Sequence, residues 1–431
     1  MASRRLAMST TTAALALILS TALSGCSASA PEAPVTTGPS ATASGPCVTD
    51  PQAVISRQLP AAAMGAMPSG VAEQLEKAAR IGMGQASASG AVMAVRTPEG
   101  TWIKAAGSAD QGGTIPMTAD MHSRIGSVTK TFTGTLVLQL VQDEKVKLTD
   151  PIGRYFPEIP EGDKVTVAML MNMTSGIASY TLDQSFQDEF FTNTTRVWKP
   201  RELMDMGIKL PRLFDPGAKF DYSNTNTVIL GLLVEKLTGQ SYGTVLKDRI
   251  ITPLGLHDTT LPETSGTLPS PHPDGVTLQG LPEGQTAPQD ATSWNPSWGW
   301  SAGALVSTVS DQLVYGRALG TGQGLLKPET QTERLTSIPG PAGYGLAAGC
   351  IGGWFGHTGE VPGFNAATFY DTRTDTTVAV MVNSDILSGD CTQSPTLPDS
   401  PKGIPCLDPA TRIFVALSQA LGHEFTPNPK S

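Results

Sequence analysis

Apolar positions recur at helical spacing at Val71, Leu75, Ala78 and Ala79, which predicts a helix over Val71 to Met83 and a folded domain beginning near Val71. Two β-prone runs follow, Ala91 to Arg96 and Thr101 to Ala106, parted by Thr97-Pro98-Glu99-Gly100, whose Pro and Gly mark a hairpin turn. Phe132, Leu136, Leu140 and Val141 again repeat at helical spacing, among neighbours apolar enough to predict a helix buried on most sides, with Ser127 at its start. From about 145 to 295, helical patterns, including an apolar one over Val228 to Leu237, alternate with Pro and Gly loops and strand signals are few. Strand patterns return at Ala366 to Tyr370 and Thr377 to Asn383, around the polar turn Asp371 to Asp375, and a helix from about Pro409 to Leu421 closes the pattern. Strands at both ends of a helical middle predict an α+β fold: a single sheet built from distant segments with an inserted helical region. On this reading residues 66–425 form the domain, with 66–125 and 296–425 in the sheet region and about 145–295 in the helical one.

The N-terminus adds a different kind of information. Arg4 and Arg5 precede an apolar run from Leu15 to Leu23, and the small residues Ser24 and Gly25 follow, which is the order of an export signal. The run is shorter than the ~20 residues that cross a bilayer. Leu23-Ser24-Gly25-Cys26 resembles a bacterial lipoprotein cleavage box, which implies a signal peptide over 1–25 and a lipidated Cys26 anchoring the chain to the outer face of the cell membrane. Ser27 to about Pro46 is Ala, Ser, Thr, Pro and Gly with almost no apolar bulk, so it reads as a flexible tether, drawn here to residue 65.

Setting Cys26 aside leaves Cys47, Cys350, Cys391 and Cys406 in a chain sent to an oxidising compartment. These four allow two disulfides in any of three pairings, among which the sequence does not choose. No CxxC or clustered His and Cys spacing points to a metal, and no cofactor is expected. The net charge of −9 comes without any basic run, which argues against nucleic acid and for a small substrate or a cell-envelope polymer. A monomer is expected.

Three short motifs carry candidate chemistry. In Ser127-Val128-Thr129-Lys130 the i and i+3 side chains share a helical face, so the amine can reach the hydroxyl and, if desolvated, take its proton. Tyr222-Ser223-Asn224 lies in a loop ahead of an apolar helix: a phenol there can relay a proton and Asn224 can donate to a substrate carbonyl. In His357-Thr358-Gly359 the glycine permits close backbone approach, and the strand beyond offers amides to a developing oxyanion.

Taken together, Ser127-x-x-Lys130, Tyr222-x-Asn224 and His357-x-Gly359 resemble the three motifs of the class C β-lactamase and DD-peptidase family of active-site serine enzymes. The resemblance is greatest to the secreted DD-carboxypeptidase/transpeptidase of actinomycetes, which also carries histidine in the third motif. Gly126 to Phe132, Met173 to Ile177, Tyr222 to Asn226, Pro253 to Leu256 and Ser301 to Gly303 all fit that pattern. It implies an antiparallel sheet flanked by helices beside an all-helical region, a β-lactamase/transpeptidase-like fold with the nucleophile in the cleft between. It also implies roles: Ser127 as nucleophile, Lys130 and Tyr222 as proton carriers, Asn224 orienting substrate, and the amides of Ser127 and Glu360 holding the oxyanion. Thr358 and Gly359 would line the substrate strand, a protonated His357 would support the relay or attract a carboxylate, and Trp298 would line the pocket or pack in the core.

One departure matters. The residue after the third motif is Glu360, and no Arg or Lys lies between Tyr344 and His357, so a substrate carboxylate would lack its expected cation. An exported serine hydrolase acting on D-alanyl peptides of the cell wall is therefore expected beside esterase, amidase or β-lactamase activity. A slowly acylating or non-catalytic peptidoglycan- or β-lactam-binding lipoprotein is the reading from another class.

Overall fold

The computed structural model describes residues 45–282 and 284–430. The export signal, Cys26 and most of the tether lie outside the described residues, and no helix among the described residues is long and apolar enough to cross a membrane.

Seven strands form one antiparallel sheet: β1 (Gly90–Thr97), β2 (Gly100–Gly107), β3 (Ala342–Tyr344), β4 (Gly349–Ile351), β5 (Trp354–Val361), β6 (Phe364–Asp371) and β7 (Thr376–Val382), in the order β2-β1-β7-β6-β5-β4-β3. The N-terminal hairpin thus docks on the C-terminal strands through β1 against β7, from Ala91 opposite Val382 to Arg96 opposite Thr377. Both strands are apolar at successive positions because both sheet faces are covered: Ala91, Met93 and Val95 face one core while Val92 and Ala94 face the other.

Seven of the helices matter for the site: α1 (Pro51–Ser56), α2 (Ser69–Gln85), α3 (Thr129–Gln142), α4 (Asn224–Thr238), α5 (Val309–Thr321), α6 (Pro328–Thr336) and α7 (Pro409–Ala420). On one face α2 packs on α7, burying Leu75, Ala78 and Ala79 with Ile413, Phe414 and Leu417. Gly82 allows that approach, since a Cβ there would stand 2.8 Å from the Ile413 Cα. The other face receives α5 and α3, and α3 joins the sheet to the helical region through Phe132, Leu136 and Leu140, all fully buried.

Most observed elements extend the expected ones by one to a few residues at each end, while β7 and α7 stop one residue short of their expected C-terminal ends. The expected tether to residue 65 is corrected: folded structure begins at Cys47, which is disulfide-bonded to Cys350 of β4. Helix α1 follows, capped by the Asp50 carboxylate on the Ala53 amide, and Arg57 donates to the Tyr370 hydroxyl and the Arg373 carbonyl. Val48, Val54 and Ala63 are buried, supplying the apolar burial that the composition upstream lacks. The second disulfide joins Cys391 to Cys406. Helices α5 and α6 and strands β3 and β4 were not anticipated; β3 and β4 have three residues each, too short for a period-2 pattern to register.

Candidate active site

The chain enters the site along Ser123–Arg124, a two-residue strand paired with Val306–Ser307. Arg124 is buried and its guanidinium donates to the carbonyls of Gly266, Thr292 and Trp294, tying loops of the helical region to this strand. Ile125 donates its amide to the Leu305 carbonyl, and Leu305 returns its own amide to the Thr129 hydroxyl, so the turn carrying Ser127 is pinned from both sides.

Lys130 lies in the first turn of α3 and is fully buried. Its Nζ is 2.9 Å from the Ser127 Oγ and donates to the Ala302 carbonyl at 2.7 Å. Among the described residues it has no carboxylate partner. Burial therefore pushes the ammonium well below the usual lysine range, because a desolvated cation without a counter-charge is costly. A neutral amine against a serine hydroxyl can accept its proton.

Gly126 and Gly359 explain how two backbone amides come together. Gly126 has φ +50°, and a Cβ on it would stand 2.5 Å from the Glu360 nitrogen; a Cβ on Gly359 would stand 1.9 Å from the Ile125 carbonyl oxygen. Only glycines let β5 run directly along the Ser127 turn. Strand β4 pairs with β5 only from Trp354 to Gly356, so the outer edge of β5 from His357 to Val361 has no strand partner among the described residues. That open edge can receive an extended substrate.

Tyr222 reaches the site from the loop before α4. Tyr222 is 37% exposed, its ring lies 4.9 Å from the Lys130 Nζ, and its hydroxyl is hydrogen-bonded with that of Ser127. Enclosure holds the phenol protonated, pushing it above its ordinary value against the pull of the Ser127 hydrogen bond. Asn224 opens α4, its amide donating to the Ser179 hydroxyl at 3.3 Å, and its side-chain amide makes no hydrogen bond within the described residues.

His357 is the third-motif residue whose charge state the sequence leaves open. It is buried, and burial, with Lys130 adding to it, pushes the imidazole down to about 3, so it is neutral rather than cationic. Its Nδ1 faces the Thr358 carbonyl and its Nε2 lies 3.1 Å from the Tyr344 hydroxyl. The Nδ1–H tautomer satisfies both, with Nε2 accepting from Tyr344. Tyr344, from β3, stands edge-on to both the His357 and Tyr222 rings, at centroid distances of 5.5 and 6.1 Å. It was missed in the sequence because it sits on a three-residue strand with no motif around it.

Trp298 packs against Phe190 and Phe186 in an aromatic cluster, and its carbonyl accepts from the Tyr180 hydroxyl. It is half-buried, packed against the edge of the core.

No cation comes from the stretch between Tyr344 and His357, but one reaches Glu360 from farther along the chain. Lys430, seventy residues downstream, places its Nζ 2.6 Å from a Glu360 carboxylate oxygen and 3.5 Å from one of Asp408. Its amide donates to the Cys406 carbonyl at 2.8 Å, holding the tail in place. A cleft of about 790 Å³ is lined by Phe220, Tyr222, Tyr344, His357, Thr358 and Lys430, among others, so the tail forms part of its wall.

A serine hydroxyl against a buried, unpaired lysine, with a phenol beside both and a glycine-lined strand passing close by, is the arrangement of an acyl-transferring serine hydrolase. Residues 75–393 match the family described as Beta-lactamase, and the chain belongs to it. The chain is 30% identical over 274 residues to penicillin-binding protein 4 of Amycolatopsis lactamdurans, covering 62% of this chain and 67% of that one. Among solved structures, D-stereospecific amidohydrolase from Streptomyces sp. superposes with a TM-score of 0.66 at 31% identity, covering 73% of this chain and 94% of that one. D-amino acid amidase from Ochrobactrum anthropi SV3, complexed with L-phenylalanine amide, gives 0.70 at 25% identity over 82% of this chain and 99% of that one. The chain is thus a serine hydrolase with the α+β fold of that family.

Proposed function

We propose that this chain is an exported, membrane-anchored hydrolase of D-configured aminoacyl amides and short peptides, working through an acyl-enzyme on Ser127. The observation that carries the reading is the 2.9 Å contact between the Ser127 hydroxyl and the Nζ of a fully buried Lys130. In the proposed cycle neutral Lys130 takes the Ser127 proton as Oγ attacks the carbonyl carbon. The carbonyl oxygen draws on the amides of Ser127 and Glu360, which the Gly126–Gly359 contact brings together. As the C–N bond breaks, Tyr222 passes a proton to the leaving nitrogen and is replenished from Lys130. Water then enters, gives up a proton by the same route and releases Ser127. Asn224, whose side-chain amide is unengaged, orients the substrate carbonyl.

The amide preference is supported by the names of the structural neighbours, both D-selective amide hydrolases. Carboxypeptidase action on D-alanyl peptides of the cell wall is the second reading, favoured by the likeness to penicillin-binding protein 4. The test is intact-protein mass after brief incubation with benzylpenicillin, beside turnover of D-phenylalanine amide. A mass adduct or amide release that disappears in Ser127→Ala supports the acyl-enzyme; wild-type activity retained in Ser127→Ala overturns it. Faster release of D-alanine from a D-Ala-D-Ala peptide than of ammonia from the amide would put the second reading first.

A further inference from the structure

The ion pair between Glu360 and Lys430 lies on the same residue whose amide is proposed to receive the substrate carbonyl. If the Glu360 amide receives the carbonyl oxygen, the α-substituents of the acyl group start one bond from the carbonyl carbon. They then fall within a few ångströms of the Glu360 backbone, which is the reach of that residue's own side chain. Alternation along β5 turns Thr358 and Glu360 to the same side, away from His357 and Gly359, and Thr358 lines the cleft together with Asp408 and Lys430.

The charges there do not cancel. Glu360 and Asp408 present two carboxylates to one ammonium, and both salt-bridge distances belong to that single Nζ. Burial works against the Lys430 charge, yet Asp408 and Glu360 together raise the ammonium above its ordinary value. Asp385 does not add to the two carboxylates, because burial first, and the Glu360 charge second, push its carboxyl up to about 7 and favour its protonated form. Such a site repels a substrate carboxylate and binds an ammonium. In this structure the ammonium it holds is the chain's own.

We propose that Glu360, backed by Asp408, is the recognition group for the free α-ammonium of the substrate, and that Lys430 is its tethered stand-in, displaced when substrate binds. This rests on the reading of the chain as a hydrolase of D-aminoacyl amides and adds what that reading leaves open, a requirement for an unblocked amino terminus. The Lys430 side chain is free to swing away while its backbone stays bonded to Cys406: it is 40% exposed, and among the described residues its ammonium is held by Glu360 and Asp408.

The test separates binding from catalysis by using the full chain carrying Ser127→Ala and measuring the dissociation constants of D-phenylalanine amide and N-acetyl-D-phenylalanine amide by calorimetry. The free amine is expected to bind at least roughly 10-fold tighter, and adding Glu360→Gln is expected to erase that preference. Lys430→Ala is expected to tighten the free amine by roughly 2- to 5-fold, the scale of releasing a partly exposed ion pair, and to leave the acetylated ligand unchanged. Equal affinity for the two ligands, a preference that survives Glu360→Gln, or Lys430→Ala weakening both ligands alike would each overturn the proposal. Amide turnover by the wild-type chain, measured separately, decides the hydrolase reading whichever way the binding falls.

Discussion

Gly126 and Glu360 are in backbone contact: the position a Gly126 Cβ would occupy is 2.5 Å from the Glu360 nitrogen, and the Gly359 carbonyl carbon is only 2.8 Å from it. Two chain segments more than two hundred residues apart thereby present neighbouring amides. A methyl group at Gly359 would need to occupy the Ile125 carbonyl, so Gly359→Ala must push β5 away from Ser127. The expected result is a loss of kcat of about 10²- to 10³-fold, the scale of removing one oxyanion donor, with the fold retained by circular dichroism. Unchanged kcat would mean that the Glu360 amide does not serve the reaction.

Lys130 sets the pH dependence of acylation. Its folded-state pKa is lowered by burial, so the neutral, proton-accepting form dominates above that lowered value and is lost as pH falls through it. The rate of acylation should rise with pH and then level off, rather than continue climbing toward the range of an ordinary lysine. Lys130→Met should cost about 10²- to 10⁴-fold in kcat/KM and remove the rise, the measure being kcat/KM profiles from mild acid to mild base.

His357 makes the domain acid-sensitive. Its folded value of about 3 lies below the ordinary histidine value of 6.5, so the unfolded state binds more protons between those limits. Its contribution is therefore fully present above pH 6.5 and is withdrawn as pH falls toward 3, amounting to about 4 kcal/mol over the whole window. Asp385 titrates with the opposite sign, since its raised value favours the folded state at low pH. The clean readout is the difference in urea unfolding free energy between wild type and His357→Gln, which should shrink or reverse from pH 7 to pH 4. A constant difference would show that His357 keeps its ordinary pKa.

The two disulfides close loops of very different length, with separations of 303 and 15 residues. Cys47→Ser with Cys350→Ser should cost about 2–5 kcal/mol and free the α1 segment to proteolysis, whereas Cys391→Ser with Cys406→Ser should cost no more than about 3 kcal/mol, read from denaturant midpoints. A larger loss for the short loop would mean that strand β4 holds α1 without covalent help.

The anchor proposal has its own test. Labelled palmitate should enter the chain in a bacterial host and fail to enter Cys26→Ala, which should then appear in the soluble fraction. Label retained by Cys26→Ala would place the acyl chains elsewhere or remove them from the account.

Much of this protein was legible in local pattern. Helical spacing marked α2, α3, α4 and α7; alternation and turn residues marked β1, β2, β6 and β7. The Ser127–Lys130 pairing follows from residues three apart on a helical face, a relation set by backbone geometry alone. The sequence by itself therefore determined these eight elements, the candidate nucleophile and base, and Gly359 as a point of close backbone approach. What it left open are relations between distant residues, for which no local spacing exists. Tertiary structure decided the pairing of the four cysteines, the folding of residues 47–65 onto the sheet, and the burial that pushes the Lys130 ammonium well below its ordinary range and holds His357 neutral. It also brought Tyr344 to His357 and Lys430 to Glu360. Charge state depends on how much water the fold removes and which charges it leaves nearby, and both are properties of packing rather than of the order of residues.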